Sequence, residues 1–248
     1  MQKKIQILKS NLESIKHLRL LFLQQNQFQF VHNKCHIYGW ADQYLFMMDE
    51  EEIGYGAVWG KDRREDRDTI FEFYMQDAYS KYSSQVFSEF LAISGVQWIE
   101  CQTNDPVLSS MLFEYAVNIQ AEAILFNDMY PTEFSIQGAE FQKGTKKNLN
   151  PSDSGEYIVC SQGEIVATGG FMLNYNLPYA DIYMEVKDAF RRMGLGSFII
   201  QELKKEIYRV GRVPAARCNI NNLASKSALV KAGFKPCGFL VHGEVKPK

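Results

Sequence analysis

Apolar residues recur along this chain with two different periods, and the alternation between them predicts the elements. Ile5, Leu8, Leu12, Ile15, Leu18 and Phe22 fall three or four residues apart, which predicts an amphipathic helix or helix pair up to about Leu23. Tyr44–Met48 and Ile53–Trp59 flank the acidic turn Asp49–Glu52 as a β-hairpin, and a polar tract from Gly60 to Asp68 closes it. Thr69–Met75 then reads as a strand, Gln85–Ile93 as a helix and Val96–Cys101 as a strand. Asp105–Tyr115 reads as a helix with Asp105 as its N-cap and Pro106 in its first position.

From Gly144 to Gly155 the composition shifts to Lys, Asn, Ser, Gly and Pro, the mark of a linker. The order of elements then repeats. A hairpin spans Tyr157–Leu173 about Gln162-Gly163, and a strand spans Ile182–Val186. A helix at Ser197–Val210 ends at Gly211, and a strand covers Ala215–Asn219. A helix at Asn222–Ala232 ends at Gly233, and the last strand is Phe234–Val241. A shift of 111 positions lays Asp77, Ala78, Tyr79 and Phe87 over Asp188, Ala189, Phe190 and Phe198. A shift of 117 lays Cys101, Asn104 and Leu112 over Cys218, Asn221 and Leu229. The reading is an internal duplication with a diverged first copy, divided as residues 1–132 and 133–248.

Composition narrows the function classes. With 248 residues, 46% hydrophobic and 23% charged, the chain is long enough for one large or two small cores and has the balance of a globular protein. A formal net charge of -2 argues against a protein that coats nucleic acid. No window is apolar enough to span a bilayer, and the first residues lack the apolar stretch of a secretory signal. Five widely spaced cysteines without a Cys-x-x-Cys pair suit a reducing, cytoplasmic setting. His32, Cys35 and His36 lie close together, but no partner set with ligand spacing accompanies them, and no metal is expected. Phe28, Phe30, Tyr38 and Trp40 are expected in the core rather than on a base-stacking surface.

The segment richest in chemistry runs from Met184 to Ser197, a strand leading through Arg191-Arg192-Met193-Gly194-Leu195-Gly196 into a helix. Glycines let backbone N–H groups approach an anion, and the helix N-terminus adds positive potential, so this turn reads as a cradle for phosphate or pyrophosphate. Gly-Lys-Ser/Thr is missing from the chain, and Ile199 stands where a dinucleotide fingerprint needs its third glycine. Val186–Arg217 carries eight basic and three acidic residues. Asp49–Asp77 carries ten acidic and four basic ones, a surface that could attract a cationic acceptor.

The turn resembles the acyl-CoA pattern Gln/Arg-x-x-Gly-x-Gly/Ala of the GNAT N-acetyltransferase superfamily. The string from Asn222 to Phe234, with Asn222, Ser225, Leu229, Lys231, Gly233 and Phe234, resembles the second motif of the same superfamily. Together they carry the resemblance over about residues 156–241. It implies an α/β (α+β) fold in which a mixed, mostly antiparallel splayed sheet is flanked by helices, here in tandem. It further implies acetyl-CoA-dependent transfer of an acetyl group to a primary amine by direct attack. Met184 and Val186 would bond the pantetheine amides through their backbone. Arg191, Arg192, Met193, Gly194, Leu195, Gly196 and Ser197 would hold the pyrophosphate, and Asn222 and Ser225 the CoA arm. Glu185 is the first candidate for the base and Asp181 the second, with Tyr183 shaping the acceptor pocket.

Leu229 stands where many members carry a tyrosine general acid, which leaves a catalytically silent acyl-CoA-binding or sensor module as the alternative. The first copy has Ser80–Gln85 in place of the glycine turn and is expected to be degenerate. The acceptor is a small molecule or a peptide, the oligomeric state is open up to a homodimer, and neither nucleic acid nor membrane is expected as a partner.

Overall fold

The computed structural model describes residues 4–25, 29, 33–63, 65–144 and 155–247. His32, Phe28 and Phe30, and the expected linker apart from its two ends, lie outside them. The described chain folds into two compact units, residues 1–122 with 239–248 and residues 123–238.

In the first unit, strand β1 (Ile5–Ser10) leads to helices α1 (Leu12–Gln25) and α2 (Asn33–Ile37), then to strands β2 (Ala41–Met48), β3 (Glu51–Trp59) and β4 (Thr69–Met75). A 3-10 helix (Asp77–Tyr82) runs directly into α3 (Ser83–Ser94), followed by β5 (Trp98–Gln102), α4 (Pro106–Tyr115) and β6 (Ala116–Asp128). Strands β1 to β4 are antiparallel neighbours in chain order, and β4 pairs with β5 in parallel.

The opening helix predicted from Ile5 is corrected. Residues 5–10 form a strand, because Ile5 pairs with Met48 and Ser10 with Gln43, and the helix starts only where the Asn11 side chain accepts the Ser14 N–H at 3.0 Å. Ile15, Leu18, Arg19 and Phe22 form the buried stripe of α1. They cover one face of the sheet at Tyr55 and Tyr74. On the other face, Phe87 and Phe90 of α3 meet Phe46 and Phe73, with Phe73 and Phe87 edge to face at 4.9 Å. The predicted cap of α4 is present: Asp105 accepts from the Val107 and Leu108 N–H groups.

Under α1 lies a charged core. Glu72 of β4, 2% exposed, receives Arg19 Nε and Nη2 at 3.1 Å each, His36 Nε2 at 3.0 Å and the Tyr55 hydroxyl at 3.0 Å. Gln43 Nε2 donates to the Ala41 carbonyl. The same amide nitrogen lies 3.0 Å from His36 Nδ1.

The second unit repeats the order. It holds β7 (Ala139–Lys143), β8 (Tyr157–Ser161), β9 (Glu164–Met172), β10 (Tyr179–Val186), a 3-10 helix (Asp188–Phe190), α5 (Leu195–Arg209), β11 (Val213–Asn219) and α6 (Leu223–Lys231), and β12 spans Phe234–Val245. Asp77 and Asp188 each open the 3-10 helix after a strand, and Leu112 and Leu229 are each buried in the core of their unit. The sequence pattern did not disclose β6 or β7. In β6, Asn118 at φ +51 interrupts the two-residue alternation.

The units also divide differently from the expected 1–132 and 133–248. Residues 123–127 of β6 pair with β11 in the second unit, and residues 240–244 of β12 pair with β5 in the first. Each unit thus takes a strand from the other copy's end. Among the described residues no helix is long and apolar enough to cross a membrane.

Candidate functional site

β10 forks away from β11. It pairs with β9 from Asp181↔Met172 to Val186↔Ala167, but its parallel pairing with β11 ends at Asp181↔Ala215. From Ile182 onward no strand among the described residues pairs with the other edge of β10, so its peptide groups face an opening between two strands. Side chains alternate along this stretch. Ile182, Met184 and Val186 join the core that contains Ile199 and Leu203 of α5, and Asp181, Tyr183 and Glu185 take the opposite face.

Beyond β10 the chain makes the basic turn. Arg192 at φ +64 and Gly194 at φ +82 are both left-handed, and Gly194 is the N-cap of α5 with no side-chain cap bond. The first N–H groups of this helix of 15 residues are left for an outside acceptor, at the end where the helix dipole is positive. Gly194 is required by its backbone: a Cβ there would stay 3.6 Å from Ile136 and 3.7 Å from Lys231 Nζ, so conformation and not crowding selects it. At Gly196 a Cβ would come to 3.4 Å from both Ala228 Cβ and Met184 Cε, which lets α5 pack closely on α6 and β10.

A groove of about 650 Å³ lies in front of this turn, and Met184, Glu185, Arg192, Asn222, Ser225 and Lys231 are among its walls. Arg191 also lines it but serves the turn: its Nε donates to the Val186 carbonyl at 3.2 Å and its Nη2 pairs with Asp188 at 2.7 Å. Arg192 is exposed and bonds to no other described residue. Lys231, at the end of α6, lies 5.5 Å from the Phe134 ring centroid and brings a second cation to the groove. Met193 is 60% exposed, whereas Leu195 and Ser197 are buried, so only the backbone of these last two could serve a ligand. Asn222 Oδ1 accepts the Ser225 N–H at 3.0 Å, which spends its carbonyl on capping α6 and leaves the amide NH2 for the groove.

The positive surplus read from the sequence is largely neutralised. Lys187 pairs with Glu164, Lys205 with Glu202 and Arg209 with Glu206. Lys204 is buried, 2.5 Å from Asp128 and bonded to the Tyr130 and Ala232 carbonyls. Any charge attraction at the groove falls to Arg192 and Lys231. The acidic surplus of Asp49–Asp77 is likewise reduced, since Glu72 is buried against Arg19.

At the fork itself a smaller cavity of about 340 Å³ shares Met184, Asn222 and Ser225 with the groove. Its apolar side includes Ile182, Ile200 and Leu229, and its polar side Asp181, Tyr183 and Arg217. Asp181, 3% exposed, has Oδ2 3.6 Å from Arg217 Nε, and Arg217 Nη2 donates to the Tyr175 hydroxyl at 2.7 Å. The Tyr183 ring lies across Gly170, where a Cβ would be 2.5 Å from its hydroxyl, and burial raises its pKa. Burial also raises that of the Cys218 thiol in the same cavity, opposed by a hydrogen bond with Ser225.

The structure therefore separates the two candidate bases. Asp181 sits in the cavity and Glu185 on the groove, four residues or about 13 Å further along the strand. A single reacting nitrogen can meet only one of them. Sequence reasoning missed Lys231, Arg217 and Tyr175 as site residues. Lys231 lay within the second motif, and the other two carry no local signal.

In the first unit the corresponding segment has another form. No residue from Asp77 to Ser94 has positive φ, and the 3-10 helix meets α3 without a glycine turn. The Tyr115 hydroxyl, at the end of α4, donates to the Ser84 carbonyl at 3.0 Å, and the Ser84 hydroxyl bonds to Glu114 at 2.7 Å.

Comparison with known proteins agrees with this geometry. Residues 11–129 match the acetyltransferase (GNAT) domain family, and residues 175–238 match the FR47-like protein family. Among solved structures, a GNAT-family acetyltransferase from Colwellia psychrerythraea is similar at 16% identity and a TM-score of 0.77, with 98% of this chain and 100% of that one covered. A tandem GNAT protein from the clavulanic acid biosynthesis pathway, solved without AcCoA, is similar at 10% identity and a TM-score of 0.62, over 99% and 100% of the two chains. A GCN5-related N-acetyltransferase from Sphaerobacter thermophilus reaches 12% identity and a TM-score of 0.52, over 83% and 81%. At these identities the likeness concerns the fold. The search of curated proteins returned no match.

Proposed function

Because this chain belongs to the GNAT superfamily, we propose that its second copy transfers an acetyl group from acetyl-CoA to a primary amine by direct attack. The observation that carries the reading is the fork: β10 loses β11 after Asp181, beside a groove that ends on an uncapped helix N-terminus. The residues fit a CoA. The left-handed Arg192 and Gly194 open the turn, α5 offers N–H groups to a pyrophosphate, Arg192 and Lys231 supply two cations, and the free edge of Met184–Val186 matches the amides of a pantetheine arm.

Bound there, acetyl-CoA supplies an activated thioester. The rest falls to side chains and backbone of this chain. The strand edge and the Asn222 amide fix the arm along the fork, so that an amine entering from the Glu185 face meets it at short range. Glu185, on the groove and exposed, receives the proton that the nitrogen sheds, directly or through water. With Leu229 lining the cavity and no tyrosine at that position, the proton that completes the leaving thiol comes from water.

A thiol-release assay with acetyl-CoA over a mixed library of primary amines tests the reading, with calorimetry of acetyl-CoA in parallel. The expected result is saturable binding together with acceptor-dependent release. Binding without release under every acceptor would remove the transferase reading.

A further inference from the structure

We propose that the Ser225 hydroxyl delivers the proton that completes the leaving thiol, passing it on from water as the carbon–sulfur bond breaks. The assignment rests on the acyl-transfer reading and names a catalytic residue for its second half.

The place of the sulfur narrows the choice. An arm that lies along the groove with its thioester at the fork crosses from the groove into the smaller cavity, and the walls common to both are Met184, Asn222 and Ser225. Met184 has no proton to give, and the Asn222 side chain is an amide that does not ionise. Ser225 is left as the hydroxyl at the crossing. The other hydroxyl of the cavity, on Tyr183, is turned to β9, where a Cβ on Gly170 would come within 2.5 Å of it. Leu229, one turn further along the same face of α6, is buried and apolar and adds no proton of its own.

Helix α6 sets the hydroxyl in position. Asn222 caps the helix by accepting the Ser225 N–H at 3.0 Å, which fixes Ser225 in the first turn, where the helix end favours negative charge such as that growing on sulfur. Its hydroxyl bonds to Cys218, a thiol whose pKa burial raises. A thiol kept protonated in this way can donate to Ser225 Oγ, and the serine's own proton then points away from it into the opening. Ser225 is itself half-buried, so water reaches Oγ from the solvent side.

The step balances. The amine nitrogen bonds to the acyl carbon, the carbon–sulfur bond breaks with its electron pair left on sulfur, and the Ser225 proton moves to sulfur while water returns one to Oγ. Glu185 gives the proton shed by nitrogen back to solvent, so one proton leaves nitrogen, one reaches sulfur and the serine is regenerated. A thioester sulfur is a poor acceptor and a thiolate a strong one, so the bond to Ser225 forms chiefly as the transition state is passed.

Two measurements on the full chain test the assignment. Titration of bound CoA, followed by thiolate absorbance as the difference from desulfo-CoA, reads the contact with sulfur without any transfer. Ser225→Ala should raise the pKa of that thiol by about one unit over wild type, lower turnover by about a hundredfold and leave acetyl-CoA affinity within about threefold. Alanine keeps the N–H that Asn222 accepts and suits a helix, so the substitution removes the hydroxyl alone. Ser225→Thr, with a hydroxyl on the same carbon, should recover most of both losses. An unchanged thiol pKa, an unchanged turnover, or losses that threonine does not recover would overturn the proposal and leave the transfer reading standing. Failure to bind CoA would remove both. A thiol pKa that moves with Ser225 while no amine gives release would remove the transfer reading and leave Ser225 as the group bonded to sulfur.

Discussion

The Tyr115 hydroxyl donates to the Ser84 carbonyl at 3.0 Å, and this bond ties the last turn of α4 to the first turn of α3 at the place where the second unit has its groove. Phe87 packs on the same tyrosine ring at 5.3 Å. The first unit thus lacks the left-handed turn and also closes the space in front of it. We expect titration with acetyl-CoA to saturate at one equivalent per chain. Tyr115→Ala should leave that number unchanged, because removing the ring does not create the glycine turn. A stoichiometry of two would refute the assignment of the site to the second copy alone.

Charge at the groove is concentrated in two side chains. Arg192→Glu and Lys231→Glu should each weaken acetyl-CoA binding by about tenfold or more, equivalent to about 1.4 kcal/mol, and the loss should shrink in high salt. Gly194→Ala is the less informative change: at φ +82 it should cost about 1–2 kcal/mol of stability whether or not CoA is present. Calorimetry and thermal unfolding measured on the same variants separate the two effects.

Glu185→Gln should lower turnover by about a hundredfold, the ordinary contribution of a general base, with acetyl-CoA affinity within about twofold of wild type. An unchanged rate would transfer the role to Asp181 or to a water chain.

The buried carboxylate of the first unit gives a prediction about stability. Burial by itself would raise the pKa of Glu72, but Arg19 and His36 overcome it and hold the group far below the ordinary 4.5. Since the folded value is the lower one, this interaction stabilises the fold fully above the unfolded value and is lost as pH falls below it. Urea unfolding should therefore weaken from pH 6 toward pH 3. Glu72→Gln should cost about 3 kcal/mol or more at neutral pH, since it leaves Arg19 buried without its partner, and should show less of the acid loss.

Asp105 has the opposite sign. Burial raises it from 3.8 to about 7 against its two helix N–H bonds. The folded state therefore holds a proton that the unfolded state has released, and stability falls as pH rises from about 4 through 7. Asparagine accepts the same two N–H groups without ionising. Asp105→Asn should be more stable than wild type at pH 8, with the gain fading toward pH 4 in chemical denaturation.

What the sequence disclosed follows the range of the interactions. The turn from Arg191 to Gly196 and the cap at Asp105 are set by neighbours within a few residues, and both were legible. The Gln162-Gly163 hairpin was legible for the same reason, with φ +52 and +81 at its two central residues. Strand β1 was misread because Ile5, Leu8 and Leu12 imitate a helical period, while the pairing partner that decides, Met48, is 43 residues away from Ile5. Arg217 and Tyr175 meet across 42 positions, and Gly194 and Lys231 come together only through the packing of α5 and α6. No local pattern encodes such meetings.

The exchanged last strands bear on biosynthesis. β5 of the first unit finds an antiparallel neighbour in residues 240–244, so a ribosome that has already released everything up to Asp128 still holds a first unit with that pairing unmade. Its edge must stay shielded until more than a hundred further residues have emerged, and the second unit must fold while its partner waits. A truncation before β12 should therefore damage the unit that lies furthest from it in the sequence, exposing a strand edge open to pairing with other chains.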